Sequence, residues 1–573
     1  MDSDRLEVEP LRADNRTETR RRYLGGFLSS GLFLVPAGGF LLLFYFYPLA
    51  SILGAGLAPE GRLSGEGLAA LVQDNYLLKV LGFTLWQAAL STLLTLAAGL
   101  PGAYLMARYQ FRGQGVLRAL AGVPFVMPTL VVAAAFNALL GPRGWINLAL
   151  MAAFHLAAPP LQVMNTLGAI LLAHVFYNTT VVLRLVGDFW AHLDPRLTGA
   201  ARTLGASPAQ AFVRVTLPLL APAILAAALL VFIFDFTSFG VILILGGPQF
   251  NTIETAIYRS TLINFDLPLA TALALVQLAC TFAMIIIYTR LQNRAVVPLD
   301  LRPRAITPKR PTTRRAKTLL LIVTIAMLSF LLLPLLALVI RSFVVNNTLA
   351  FDNYLNLATN PRGSVLFVPP LTALGNSLLF AIITTLIALI IGTAAAYAAA
   401  AKGRWSRLSE PLWALPLGAS AVTLGFGFLI GFPTLRSSWI MIPLAHSLVA
   451  FPFVVRTITP ALRSIRSNLR EAAQVMGANP SRVWREVDLP ILGRAMLIGG
   501  AFAFAISLGE FGATAMLVGA AIPTLPYAIY RYLSLPGSLN YGQAMAMSTV
   551  LMLVVALSLV AIDRFRIGEI GEF

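Results

Sequence analysis

The sequence predicts an all-α membrane protein of about twelve transmembrane helices, arranged as two parallel six-helix repeats. Three observations carry that reading. Of 573 residues, 58% are hydrophobic and 12% are charged, against roughly 25% charged in soluble domains. Apolar runs of about 20 residues, the length that crosses a bilayer, recur along the whole chain between arginines. Sequence elements of the first half return in the second at a constant offset.

Taken in order, the apolar segments fall at 27–53, 80–105, 117–141, 167–188, 219–246 and 268–290, then at 318–341, 374–400, 411–432, 439–460, 491–517 and 540–562. Each is long enough for about 30 Å of hydrocarbon. The first exceeds the 7–15 residue core of a signal peptide, and Arg20–Arg22 anchor it inside, so it reads as a retained span. Pro124, Pro128 and Pro416, with Gly418, Gly425, Gly427 and Gly431, interrupt the third and ninth spans, as gating kinks or packing irregularities. The organisation expected is a tail over 1–26, a first half over 27–290, a basic, proline-rich linker over 291–317 and a second half over 318–573. The linker has no periodic apolar face.

The net charge of +18 comes from 42 Lys and Arg against 24 Asp and Glu. With both termini inside, Arg62, Lys79, Arg143, Arg259, Arg341, Arg362, Arg436 and Arg531 are the basic residues on outer loops and outer span ends. The remainder lie inside, as the positive-inside rule requires. That placement accounts for the charge without nucleic acid, and no basic stretch carries interleaved stacking aromatics.

The repeat holds one register, an offset of 272, for a long way. His174 maps onto His446, Arg184 onto Arg456, Pro208 onto Pro480, Leu217-Pro218 onto Leu489-Pro490, and Phe239-Gly240 onto Phe511-Gly512. Upstream, Thr84 pairs with Ser377 and Tyr104 with Tyr397 at an offset of 293. The first half therefore holds about 20 extra residues between its third and fourth spans, around Trp145 to Thr166. An even number of spans per half gives the repeats one orientation, related by an axis along the membrane normal with a cleft or pore at that axis.

The loop after the fourth span has the same grammar in both halves. A short helix stops at Gly205 or Gly477, residues suited to the position after a helix end. Ser207-Pro208 and Asn479-Pro480 start a second helix as N-cap and N1. Pro218 and Pro490 mark the entry to the next span. Phe212 and Val215, or Trp484 and Val487, share one side of that second helix, with arginines near them. Each loop is expected to be a helix-turn-helix at the membrane surface. A lone copy equally suits an interfacial helix buried in headgroups; two copies with matching caps suit two docking points for a two-lobed partner.

These residues resemble the EAA loop of the permease subunits of bacterial ABC importers. The second copy is complete, from Glu471, Ala472, Ala473 and Gly477 to Val487, Leu489 and Pro490; the first has Gly199 in place of Glu, followed by Ala200, Ala201, Gly205, Val215, Leu217 and Pro218. The resemblance implies a type I importer permease fold. It also implies that Gly199, Ala200, Ala201 and Gly205 in one half, and Glu471, Ala472, Ala473 and Gly477 in the other, contact a cytoplasmic ATPase dimer, with the missing carboxylate at Gly199 making coupling unequal. Glu471 is expected at the start of its helix, where the dipole favours it. The fused architecture looks most like thiamine permeases and their ferric-iron relatives, on Asp74–Ser91, Leu171–Asn178, Gly246–Arg259 and Ser507–Leu517. The implied setting is the bacterial inner membrane, multi-pass in lipid with both termini cytoplasmic, and fed by an extracytoplasmic solute-binding protein.

No Gly-Lys-Ser/Thr is present, so this chain binds no nucleotide by a P-loop and no cofactor is expected on it; ATP falls to the partner subunit. The rival class is an ion-coupled secondary transporter, which needs ionisable groups in the membrane. Candidates for a path or gate are His174, Asp235, His446 and Glu510. The two histidines read as packing groups between spans, because a relay needs a neighbouring carboxylate that the sequence does not show. Glu510, between Gly509 and Phe511-Gly512, suits close helix packing or a charge facing a cation path. Asp235 has Ser507 as its counterpart. Cys280 is the single cysteine, a small buried hydrophobe that excludes an internal disulfide. The four histidines have no metal-ligand spacing, and no catalytic constellation is visible, so an enzyme of the bilayer is a remote third reading.

Overall fold

Proline placement decides where the helices of this bundle break. In the computed structural model, which describes residues 33–57, 75–295, 310–346, 348–358, 369–401, 411–517 and 522–565, Pro128 follows an extended Met127 (φ −65°, ψ 136°). A proline cannot donate its amide and holds its predecessor out of the α region. The first half runs through α1 (Phe33–Gly56) and α2 (Asn75–Arg108), then α3 (Gln114–Val126), α4 (Thr129–Leu140) and α5 (Trp145–Phe154). It continues with α6 (Leu167–His192), α7 (Pro195–Thr203), α8 (Pro208–Phe236), α9 (Ile253–Leu262) and α10 (Leu267–Ala295).

The second half has α11 (Arg314–Ser342), a hairpin of β1 (Val344–Val345) and β2 (Thr348–Leu349), and α12 (Pro370–Ala400). There follow α13 (Pro411–Gly418), α14 (Ala421–Gly431), α15 (Met441–Ser464) and α16 (Ser467–Val475). α17 (Pro480–Gly509), α18 (Gly512–Leu517), α19 (Leu525–Ser534) and α20 (Ser538–Phe565) complete it.

Among the described residues, eleven helices are long and apolar enough to cross a membrane, or twelve when α13 and α14, bent by 97°, count as one span. The third and ninth spans are both broken as expected. The third departs from the expected 117–141: the break lies at Met127–Pro128, and the run of crossing length there is Thr129–Phe154, taking in α5. The spans expected over 219–246 and 491–517 end earlier, at Phe236 and Gly509, and the chain turns back through short helices before the next span. The tail over 1–26 lies outside the described residues, as do 296–309 of the expected linker.

Small residues set the contacts that matter most. A Cβ on Gly99 would come within 2.7 Å of Val182, and one on Gly392 within 2.7 Å of Val454. The two glycines are related by the offset of 293 and the two valines by that of 272, so the same crossing of α2 on α6 is repeated by α12 on α15. Without lipid-excluding force between helices, such close approach supplies the packing attraction. The halves interlock: α1 of the first half packs on α14 of the second, and α11 of the second packs on α4 of the first.

Candidate coupling loops and the buried centre

α7 and α16 occupy the same place in the repeat, and neither contains a buried residue. Both stop by one device. Gly205 (φ +90°) and Gly477 (φ +82°) are left-handed, and the amides of Ala206 and Ala478 reach back to the carbonyls of Ala201 at 3.1 Å and Ala473 at 3.0 Å. That is the Schellman closure a glycine permits. The residue before each glycine is apolar and turned outward: Leu204 is 88% exposed and Met476 86%. Ser207 then caps the next helix by a reciprocal box with Gln210, and the Asn479 side chain accepts from the Arg482 amide at 2.8 Å.

The expected second surface helix is different in the structure. It is the first turn of the following span, joined without interruption through π-turns at Phe212–Thr216 and Trp484–Asp488. Pro218 and Pro490 are the cause. A proline ring removes one donor and crowds the carbonyl four residues back, so the preceding amides of Leu217 and Leu489 bond further back, to Phe212 and Trp484. Each loop is therefore one short helix, a glycine turn, and then the first turn of the following span.

Glu471 is the fifth residue of α16, beyond its first turn, so the helix dipole does not favour it as expected; the dipole acts within the first turn. Its side chain is exposed. Gly199 is helical within α7, with open space where a Cβ would stand. The main difference between the loops lies elsewhere. Arg470 pairs with Asp488 at 2.7 Å, and the Tyr397 hydroxyl donates to the other Asp488 oxygen at 2.8 Å. At the corresponding sites of the first half, Thr198 meets Thr216 at 3.3 Å, and Tyr104 packs on Trp190. The second loop is tied to α17 by an ion pair whose carboxylate also takes Tyr397 of α12, whereas at the same sites the first is tied to α8 by a hydroxyl pair.

The four ionisable candidates fall into two pairs. His174 places one ring nitrogen 2.8 Å from Ser238 and the other 3.5 Å from Asp235. His446 places one 2.9 Å from Ser507 and the other 3.2 Å from Glu510. Each buried histidine thus lies between a serine and a carboxylate, and the carboxylate changes side between the halves. The sequence reading missed these neighbours. The signal was available: Asp235 and Ser238 follow His174 at the same two separations as Ser507 and Glu510 follow His446, one acid and one serine in each half.

Neither carboxylate is loose. Glu510 accepts from the amides of Ala513 at 3.0 Å and Thr514 at 3.1 Å, capping α18. Asp235 accepts from Asn178 at 2.7 Å, and its carbonyl takes Gln87. A further buried carboxylate, Glu254 on α9, bonds Gln277 and the Ser420 hydroxyl that caps α14, a residue of the other half. The α9 and α19 helices start in one way: the amide of Ile253 bonds Thr84, and that of Leu525 bonds Ser377.

The family described as binding-protein-dependent transport system inner membrane component matches this chain twice, over residues 99–297 and 388–566. Among similar proteins, the thiamine transport system permease protein ThiP of Brucella abortus (strain 2308) is 29% identical over 540 residues, covering 92% of this chain and 95% of the relative. ThiP of Escherichia coli (strain K12) is 27% identical, covering 90% and 94%. The probable ABC transporter permease protein y4fN of Sinorhizobium fredii is 26% identical, covering 93% and 95%. A solved bacterial ABC transporter that imports the acidic polysaccharide alginate aligns with a TM-score of 0.41 and 18% identity, over 49% of this chain and 99% of that one.

Proposed function

Since the chain belongs to the binding-protein-dependent transport system inner membrane components, the permeases of ABC importers, we propose that it is the fused permease of a thiamine importer, driven by a cytoplasmic ATPase dimer and fed by an external solute-binding protein. The observation that carries the energy source is the pair of free helices α7 and α16. They are matched in register and closure, and each ends on an outward apolar side chain, Leu204 or Met476. Two equivalent docking points suit a two-lobed motor, and each is separated by a glycine turn from a span whose first turn runs on through a π-turn. By the positive-inside rule this face is cytoplasmic. Ala200, Ala201, Ala472 and Ala473 lie on these helices, as contacts of small size that let a partner approach.

The substrate rests on the relatives named for thiamine, which this chain matches over nine tenths of its length. The test is uptake into vesicles holding this chain with its ATPase and binding protein. Labelled thiamine is expected to accumulate on ATP addition, and ferric iron is not. Accumulation of iron alone removes the thiamine assignment and leaves the permease reading standing.

A further inference from the structure

Just beyond the ends of α8 and α17, at Phe236 and Gly509, four aromatic rings meet. Phe239 and Phe511 stack with centroids 5.4 Å apart and 24° between planes. Tyr258 of α9 packs on Phe239 at 5.3 Å, and Tyr530 of α19 packs on Phe511 at 5.4 Å. Phe511 and Tyr530 are the repeat counterparts of Phe239 and Tyr258 at the offset of 272, so the Phe239–Phe511 stack lies on the pseudo-twofold axis between the halves. A Cβ on Gly240 would stand 2.6 Å from the Thr129 hydroxyl and 3.3 Å from the Phe511 ring, so the glycine lets this segment pack closely on both. Phe239, Phe511 and Tyr258 are 6%, 2% and 8% exposed.

Side chains of both charges border the rings. Glu510 adjoins Phe511, and Glu254 lies one turn before Tyr258 on α9. Arg259, beside Tyr258, is engaged by the carbonyls of Gly247 and Pro248. Arg531 lies within electrostatic reach of Tyr258, so the attraction for a cation here comes from the ring faces. Ring faces carry negative quadrupole charge and attract a cation within about 6 Å of the centroid, most strongly away from water.

We propose that the Phe239–Phe511 stack, flanked by Tyr258 and Tyr530, is the site in the passage that recognises a planar organic cation: when the halves part, the solute's ring takes the place of one phenylalanine against the other. The site rests on the permease reading above, and it names the residues that would choose the solute.

The experiment uses the full chain with its ATPase and binding protein in nanodiscs and vesicles. Phe239→Leu and Phe511→Leu keep an apolar side chain and remove the π face; Phe239→Tyr and Phe511→Tyr restore it. Labelled thiamine uptake is expected to need about tenfold more substrate in each Leu variant, the size of a desolvated cation–π contact. The Tyr variants recover it. Leu variants that transport as the parent does, or Leu and Tyr variants equally impaired, overturn the site.

If the parent protein takes up no thiamine, the substrate reading fails, and the site is still decided by the planar fluorescent cation 1-methylquinolinium. Affinity for it lower by about tenfold in the Leu variants upholds the site; unchanged affinity, or no binding to the parent, overturns it.

Discussion

Asp488 sits at the junction of three elements: one oxygen takes Arg470 of α16 at 2.7 Å, the other takes Tyr397 of α12 at 2.8 Å, and the residue itself lies in the π-turn of α17. Its side chain is 7% exposed and that of Arg470 32%, so solvent screens part of the pair and its worth is about 1 kcal/mol. Asp488→Asn is expected to speed amide hydrogen exchange in α16 severalfold, whereas Thr216→Val leaves α7 as it was. Equal acceleration in the two loops contradicts the difference in anchoring. Glu471 and Gly199 make a second contrast. Glu471 is free to accept an arginine of the ATPase, and such a charged bond is worth about 1.5–3 kcal/mol when desolvated. Glu471→Ala is therefore expected to weaken ATPase binding about tenfold or more, and Gly199→Ala, helical with open space for its methyl, to be nearly silent. Titration of the ATPase onto both variants decides it, and equal losses refute it. At this scale the sequence was half legible. The glycines and caps of the loops were, because a turn records its geometry in residue type. The carboxylate beside each histidine was not, because contact between groups so distant along the chain depends on which faces of two spans meet.

The π-turns lie where each surface loop enters its span. Phe212–Thr216 and Trp484–Asp488 each precede a Leu-Pro pair, and Leu42–Phe46 precedes Tyr47-Pro48 in α1 in the same way. Restoring an amide with Pro490→Ala permits ordinary α bonding, which turns the segment before it by up to about 100° relative to the span, one residue's share of a 3.6-residue turn. The expected outcome is uncoupling: ATP hydrolysis continues while uptake falls severalfold or more. Joint measurement of hydrolysis and uptake in one vesicle preparation checks it, and a variant with both intact contradicts the role given to the turn. The prolines pointed to these sites in the sequence, yet they read there as boundaries between separate helices. A proline lacks its own amide bond, but the chain before it can find another, and nothing in residue type alone says that it does. The break at Met127–Pro128 was legible for the opposite reason, since there the preceding residue is extended and the ladder stops.

Across the whole molecule, twofold repetition explains most of what is seen. The repeat, at offsets of 272 and, upstream, 293, places the two free helices, the buried histidines, the starts of α9 and α19 and the four stacked rings. The exchange of α1 and α11 between halves makes the two repeats one body, and Glu254 with Ser420 ties them again. The interlock left no sign in the sequence, because an apolar span reads the same whichever half it packs on. Such a body can transmit a closure of its two free helices to the seam where the rings meet, and the central claim is that ATP supplies that closure. The most direct measurement is labelled thiamine uptake by vesicles containing this chain alone, or with the ATPase and binding protein, each with a proton gradient or with ATP inside. Uptake that appears with ATP when all three components are present, and is absent with the gradient, is the expected result. Full gradient-driven uptake by the chain alone, without ATP, contradicts it.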